Sequence, residues 1–429
     1  MKDELTGLQV YKFGGASVKD AAAILNLCRI VRDFGPSGPL LIVVSAMGKT
    51  TNALEEIYDL AYHGRDYSAQ LKALEAYHTQ VTAGLYDAQV GVEHAKLYPR
   101  HESPNVYFQD LAEALAAVRP DDYDRQYDQI ISFGEILASR IVAQALGAQL
   151  VDARQLLIRT DSNWREGNVA WATTERNIKE KLPKMLAKGV VLTQGFLGST
   201  AHGSTTTLGR EGSDYSAAIF AYCLRAESVT IWKDVPGLLN ADPKIFPDTV
   251  LYPEISYQET IEMAFYGASV IHPKTLKPLA ERHIPLRVKS FLDPSAPGTL
   301  IHDCQHPPLV PAFIRKGGQC LLSFESKDFT FISEENLEVI FGALAQSRLK
   351  INVMQNSAIS FSVVVDYNKM RVQRLLGLLQ GQFRVHYNKE LTLFTIKNYD
   401  AASIERLTAG RELLLEQRTR STFQFLVRE

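Results

Sequence analysis

Short, almost wholly apolar runs alternate with stretches of helical spacing through the first three hundred residues. The runs are Leu8–Phe13, Leu40–Val44, Gln129–Phe133, Val190–Gln194, Ser228–Trp232 and Ile284–Lys289. A strand covered on both faces reads as a continuous apolar run, and helices between such strands impose parallel order. The pattern predicts an α/β fold, a mainly parallel sheet between helices. Each run ends in small or polar residues: Gly14-Gly15, Ser45-Ala46-Met47-Gly48, Gly134-Glu135, Gly195, Lys233-Asp234 and Ser290. Open α/β sheets bind ligands beyond the carboxyl ends of their strands, so these endings are expected at one rim.

Residues 53–125 follow another rhythm, with Ala, Leu, Glu and Tyr at helical spacing, and predict a helical insert. Ser256-Tyr-Gln-Glu259 has the form of a capping box, opening a helix that stops around Gly267. Prolines at 294, 297, 307, 308 and 311 disfavour regular structure, which sets a domain boundary between residues 1–305 and 311–429. Beyond it, Ser333 can cap a helix whose Leu337, Ile340, Phe341 and Leu344 share one face. Ile359, Phe361, Val363 and Val365 alternate as one side of a strand. A helix near Val372–Leu379 and strands near Leu391–Lys397 and Thr422–Val427 complete a small α+β region of ferredoxin-like β-α-β-β-α-β order. Such modules pair edge to edge, which suits a dimerising or regulatory role and equally a passive C-terminal domain.

The chain of 429 residues carries a formal net charge of -2 with 22% charged residues, the balance of an ordinary globular protein. No basic footprint points to nucleic acid. The start lacks the basic-then-apolar pattern of a signal peptide and no stretch approaches the length of a membrane span, so no membrane partner is expected and the cytoplasm is the expected compartment. Cys28, Cys223, Cys304 and Cys320 are scattered without Cys-x-x-Cys spacing, arguing against a disulfide framework or a zinc site.

Gly-Arg-Glu-Gly-Ser-Asp-Tyr-Ser at 209–216 is the segment richest in chemistry. Ser213 and Asp214 are N-cap types before the helix-forming run Tyr215–Leu224, so free N–H groups and the positive helix end should face an anion. A capped surface helix after a turn would read the same way. Lys12-Phe13-Gly14-Gly15 near the start adds an ammonium and a bare backbone that phosphate can approach, which together suggest phosphoryl transfer. Gly48-Lys49-Thr50 imitates the tail of a P-loop, but Val43 stands where its first glycine is required. No Gly-x-Gly-x-x-Gly follows the first strand, and His272 has no partner at metal-ligand spacing.

Five ordered blocks resemble aspartate kinases: Val-Tyr-Lys-Phe-Gly-Gly-Ala-Ser-Val at 10–18, Ser-Ala-Met-Gly-Lys-Thr-Thr-Asn at 45–52, Ser-Phe-Gly-Glu at 132–135, Leu-Gly-Arg-Glu-Gly-Ser-Asp-Tyr-Ser-Ala-Ala at 208–218 and Trp-Lys-Asp-Val-Pro-Gly at 232–237. Phe-Tyr-Gly-Ala-Ser-Val-Ile-His-Pro at 265–273 and a tail similar to ACT amino-acid-sensing domains extend the likeness over almost the whole chain. The resemblance implies the amino-acid-kinase fold, ATP and L-aspartate as substrates, and 4-phospho-L-aspartate as product, the first step of lysine, threonine and methionine biosynthesis. It implies catalytic roles for Lys12 and Asp214, the second orienting the first, and phosphate contacts from Gly14, Gly15 and Ser17. Arg210 offers a planar fork to a carboxylate and Glu135 can take the α-ammonium, assignments the family shares. Thr51 and Ser213 are implied as further aspartate contacts, with Ser45 near the transferred phosphate. Lys233 and Asp234 fall where the family holds adenosine.

The chain also departs from that family. Lys244 replaces the usual arginine near the phosphates, and Ser269 stands where many relatives carry lysine. Mg²⁺ is expected with the triphosphate, held by phosphate oxygens and water, so no side chain is named as its ligand. The residues after Phe313 are too few for two full ACT units, so the second is expected to be abbreviated. No homoserine dehydrogenase domain follows, which implies a monofunctional kinase. Residues 351–357 occupy the effector segment of lysine-inhibited relatives, with Asn352 in place of an aspartate found in some. Lysine or threonine is the expected effector and a homodimer or larger homo-oligomer the expected assembly. Two other functions are alternatives: an amino-acid kinase acting on glutamate, carbamate or a nucleotide, which would share the fold but typically lacks the Lys-Phe-Gly-Gly start and the ACT-like tail, and a catalytically dead amino-acid sensor, supported by Ser269 and opposed by Lys12, Arg210 and Asp214.

Overall fold

The computed structural model describes residues 5–89, 104–155, 157–268, 271–306, 309–328 and 330–428. They fall into two units, the first comprising Met1–Leu238, Leu251–Ile261 and Val270–His306, the second Leu239–Val250, Glu262–Ser269 and Pro307–Glu429.

The strands of the first unit are β1 (Gln9–Phe13), β2 (Leu40–Val44), β3 (Gln149–Val151), β4 (Val191–Gln194), β5 (Leu197–Ser199), β6 (Thr205–Thr207), β7 (Ser228–Lys233), β8 (Glu254–Ser256), β9 (Leu286–Ser290) and β10 (Thr299–His302). Eight of them form one sheet in the order β3-β4-β2-β1-β7-β9-β10-β8, and β5 and β6 make a separate hairpin. All pairs in the large sheet are parallel except β9 with β10. All five residues of β2 are buried, the signature of a central strand covered on both faces.

The helices up to residue 281 are α1 (Ala21–Phe34), α2 (Thr50–Tyr62), α3 (Ser68–Gln89), α4 (Pro104–Ala116), α5 (Tyr123–Ile131), α6 (Phe133–Leu146), α7 (Trp171–Leu186), α8 (Gly212–Leu224), α9 (Tyr257–Tyr266) and α10 (Pro273–Glu281). Asp20 caps α1 by accepting the Ala23 N–H at 2.8 Å, and Ile24, Leu27 and Ile30 form its buried face. That face joins Ala138, Ile141 and Val142 of α6 against Tyr11, Phe13, Ile42 and Val44 of the sheet. α8 packs against β1, β2 and β7 and against α7 and α10. It is buried on nearly all sides, including Ala217, Ala218, Ile219, Phe220 and Ala221, as an apolar-all-round helix must be. Among the described residues no helix is long and apolar enough to cross a membrane.

One expected strand is a helix. Gln129–Phe133 belongs to the end of α5 and the start of α6, because Tyr127, Ile130 and Ile131 are buried at i, i+3, i+4 and the short apolar run is their continuation. Glu135 therefore enters from the first turn of a helix and not from a strand end. β3, β8 and β10, of three or four residues each, carried no periodic signal of their own. The Ser256 hydroxyl does accept the Glu259 N–H at 3.2 Å at the head of α9, as its capping pattern requires.

The second unit is built from β11 (Ala312–Ser326), α11 (Glu334–Gln346), β12 (Ile351–Asn356), β13 (Ser360–Asp366), α12 (Lys369–Leu379), β14 (Phe383–Lys397), α13 (Ala401–Thr408), β15 (Leu413–Arg418) and β16 (Thr422–Arg428). Its six strands lie in the order β12-β13-β11-β14-β16-β15, all antiparallel. From β11 to β14 the elements run β-α-β-β-α-β, with α13, β15 and β16 added after them. β11 and β14 are fifteen residues each and pair along both halves, through a register shift between Lys316 and Leu321. Ser333 and Asn336 form a reciprocal capping box on α11, which buries Ile340 and Leu344 but leaves Phe341 41% exposed, at the edge of the face expected to be covered. Phe361, Val363 and Val365 are buried on one side of β13, while Ile359 precedes the strand and is exposed. Asn352 stands in a polar cluster in which its amide donates to Gln319 and Asp366 and accepts from the Lys316 ammonium at 3.0 Å.

Candidate active site

Residues along a strand alternate between faces, and in β1 this sets Tyr11 and Phe13 against α1 and α6 and turns Lys12 to the side of α8. Its ammonium lies 2.5 Å from Oδ1 of Asp214 in the first turn of α8, with both side chains more than nine-tenths buried. Lys233, the last residue of β7, brings a second ammonium to 3.4 Å from Oδ2 of the same carboxylate. Burial pushes the Asp214 carboxyl up, but the Lys12 and Lys233 charges beside it overcome this and hold it below the ordinary carboxylate value.

The parallel register Phe13↔Val44, Phe13↔Trp232 and Val44↔Gln194 brings the ends of β1, β2, β4 and β7 to one rim. Gly14 and Gly15 leave β1 there, and the Ser17 N–H turns back to the Gly14 carbonyl at 2.9 Å, burying Ser17. The Gly15 carbonyl accepts the Gly48 N–H at 3.0 Å, and a Cβ at Gly15 would stand 2.8 Å from the Ala46 carbonyl oxygen. Only glycine permits this approach of the two loops. Gly195, after β4, is confined in the same way, since a Cβ there would lie 2.5 Å from that of Ser213. Ser45 is half-buried with its N–H on the Phe13 carbonyl at 3.2 Å, and Thr51 is half-buried in the first turn of α2.

Glu135 closes the group from α6. It is 3% exposed, and its Oε1 accepts the Ala46 N–H at 3.2 Å while Oε2 is buried without a hydrogen-bond partner. Burial pushes its carboxyl up to about 8, against the pull of the Ala46 N–H and the Lys12 charge. A buried acceptor without a donor is costly unless a ligand supplies one.

The head of α8 differs from expectation in one respect. Ser213 and Asp214 are not caps, because the helix already starts at Gly212 and its N-cap, Glu211, takes a left-handed backbone with φ 53°. Beginning the helix earlier draws Asp214 inside the first turn, where it faces Lys12 and not its own backbone. Ser213 is 8% exposed, and Arg210 is exposed on the turn closed by the Gly212 N–H on the Gly209 carbonyl. Asp128, which no motif marked, sits behind this turn: its carboxylate accepts the N–H of Thr207 at 3.1 Å, the Thr207 hydroxyl at 2.7 Å and the Arg165 N–H at 2.9 Å, fixing the strand that leads into Arg210. The only hint in the sequence is an acid on the buried side of an amphipathic helix.

Asp234 is exposed immediately after β7. Lys244 belongs to the second unit, where it is exposed and its N–H donates to the Asp242 carboxylate at 2.9 Å. Ser269 lies outside the described residues. His272 is a helix cap whose Nδ1 accepts the Lys274 N–H at 3.1 Å. Among the described residues, one group offers three metal-ligand types in proximity, Glu254, His302 and Cys304 at the β8–β10 edge, which pairing of strands and not sequence spacing brings together.

The buried acid gives a prediction about stability. Between its ordinary 4.5 and about 8 the folded protein keeps a proton on Glu135 that the unfolded chain has released, so the stability this residue contributes falls as pH rises through that interval. Glu135→Gln, which cannot ionise, should raise the melting midpoint by calorimetry, more at about pH 8.5 than at about pH 6. An increment independent of pH would show that the carboxyl is not held neutral.

Comparison with known proteins places this geometry. The profile of the amino acid kinase family matches residues 7–290. Lysine-sensitive aspartokinase 3 of Escherichia coli (strain K12) is 31% identical over 414 residues, 92% of this chain and 88% of that protein. The crystal structure of E. coli aspartokinase III in complex with aspartate and ADP (R-state) superposes with a TM-score of 0.80 at 29% identity, covering 98% of this chain and 96% of that one. Its complex with lysine and aspartate (T-state) gives 0.75 at the same identity and coverage. With a lysine–aspartate pair buried at the rim of its sheet, and with likeness running through both of its units, this chain belongs to the amino acid kinase family and, within it, to the aspartokinases.

Proposed function

We propose that the chain transfers the γ-phosphoryl group of ATP to the side-chain carboxylate of L-aspartate, releasing ADP and 4-phospho-L-aspartate. The observation that carries this reading is the Lys12–Asp214 pair, set between the Gly14–Gly15 loop and the first turn of α8. Aspartate and ADP, the ligands of the E. coli aspartokinase III complex, are the corresponding ligands here.

Phosphoryl transfer asks little covalent work of a protein and much positioning and charge neutralisation. One carboxylate oxygen bonds to the γ-phosphorus, the bond to the bridging oxygen breaks, and ADP leaves with its electron pair. A carboxyl group is already ionised at neutral pH, so no general base is required. Lys12 neutralises charge on the migrating group and Asp214 fixes the Lys12 ammonium. The N–H groups of the Gly14–Gly15 loop and the Ser17 hydroxyl take phosphate oxygens, with Ser45 beside the transferred group. Glu135 takes the α-ammonium, which supplies the donor its buried Oε2 lacks, and Arg210 forks the α-carboxylate with Thr51 and Ser213 beside it. Asp234 meets the nucleoside. Mg²⁺ accompanying the triphosphate would neutralise part of the charge on its oxygens. The site's carboxylates suit a metal held by phosphate and water, since Asp214 is taken by two ammoniums and Glu135 by the α-ammonium.

We place the reaction in the cytoplasm, in keeping with four free thiols. We assign residues 311–429 a dimerising, effector-sensing role, supported by the likeness to the lysine-bound T-state of aspartokinase III.

Hydroxylamine trapping of the acyl phosphate should yield a hydroxamate with L-aspartate and little with L-glutamate. Turnover of glutamate at an equal rate would sink the assignment. Lys12→Ala should lower kcat by roughly 10²- to 10³-fold with a smaller change in aspartate KM, since the lost charge matters most in the transition state. A wild-type kcat would remove Lys12 from the mechanism. Lysine or threonine should inhibit, with a coupling of about 5- to 150-fold in affinity. Titrating each, and methionine, alone and in pairs, with light scattering alongside, checks this, and a monomer indifferent to all three would refute both roles of the C-terminal region.

A further inference from the structure

The Asp214 carboxylate faces two ammoniums, and the pairing of strands explains why. Lys12 of β1 is paired in parallel register with Ile231 of β7, so the two share a face of the sheet, and Lys233, two residues further on, shares it too. Both lysines therefore project to the side of α8, at the ends of adjacent strands. Two ammoniums thus converge on the Asp214 carboxylate. The two ammoniums are also unequal. Lys12 is held at 2.5 Å and is 9% exposed, whereas Lys233 stands at 3.4 Å and is 21% exposed. Lys233 can turn to an incoming anion while Lys12 keeps Asp214 compensated.

We propose that Lys233 is a second catalytic cation, which turns from Asp214 to the phosphate oxygens of ATP and shares with Lys12 the charge of the transferring group. This rests on the kinase reading of the same site. It differs from the role the sequence resemblance implied, a contact to adenosine, because the ammonium at the end of β7 is directed to the carboxylate that also holds Lys12.

The test is Lys233→Met compared with wild type in the hydroxamate assay and in calorimetric binding of ADP and of adenosine. Lys233→Met should lower kcat roughly 100-fold, leave aspartate KM within about twofold, and weaken ADP at least tenfold while adenosine is unchanged. Lys233→Arg should recover part of the ADP affinity. If ADP and adenosine weaken equally, Lys233 holds the nucleoside and the proposal fails. It fails also if kcat and ADP affinity stay at wild-type values. Should Lys233→Met not fold, Lys233→Gln is measured in the same way. Wild-type protein that forms no hydroxamate would overturn the kinase reading, and the ADP–adenosine comparison would still decide whether Lys233 meets phosphate.

Discussion

An ionised carboxylate shut away from water is stable only if cations remain beside it, and Asp214 meets this condition from two strands at once. Much of the first unit's local form serves that contact. β1 must present Lys12 on the face opposite Tyr11 and Phe13, which its alternation provides. α8 must begin at Gly212, with Glu211 in a left-handed backbone, so that Asp214 falls in the first turn. Small residues along α8, Ala217, Ala218 and Ala221, allow it to lie closely on the sheet, and the bare Cα of Gly195 admits Ser213. Without the lysines the same helix would bury an unpaired charge against three strands.

The second carboxyl of the site shows the opposite solution. Among the described residues no cation stands at ion-pair distance from Glu135, and burial pushes its carboxyl up to about 8, so surroundings alone shift the two acids in opposite directions. Two titratable groups set apart in this way suit distinct tasks, Asp214 holding a fixed charge beside Lys12 and Glu135 taking the α-ammonium in the role proposed for it.

The α/β class, the rim of loops and the nucleotide-side motifs were legible because buried strands such as Leu40–Val44 and the glycine-bearing segments impose composition directly. Gln129–Phe133 was misread because five apolar residues fit a strand or a helix end equally, and only their relation to Tyr127 separates the two. Asp128 was invisible for a different reason. Its partners Thr207 and Arg165 lie far along the chain, and the need to satisfy their N–H groups is created by folding. The same holds for Lys233, whose side chain is aimed by the register of β7 on β1, a quantity no local pattern encodes.

In the second unit the two fifteen-residue strands, β11 and β14, run unbroken from one α+β half into the other. The halves are therefore joined through strand backbone, across the register shift between Lys316 and Leu321. A cut through β11 or β14 would divide the central pair of strands on which both halves are built. A side chain changed on that central pair is therefore felt on both sides of one six-stranded sheet, so the two halves are mechanically a single body.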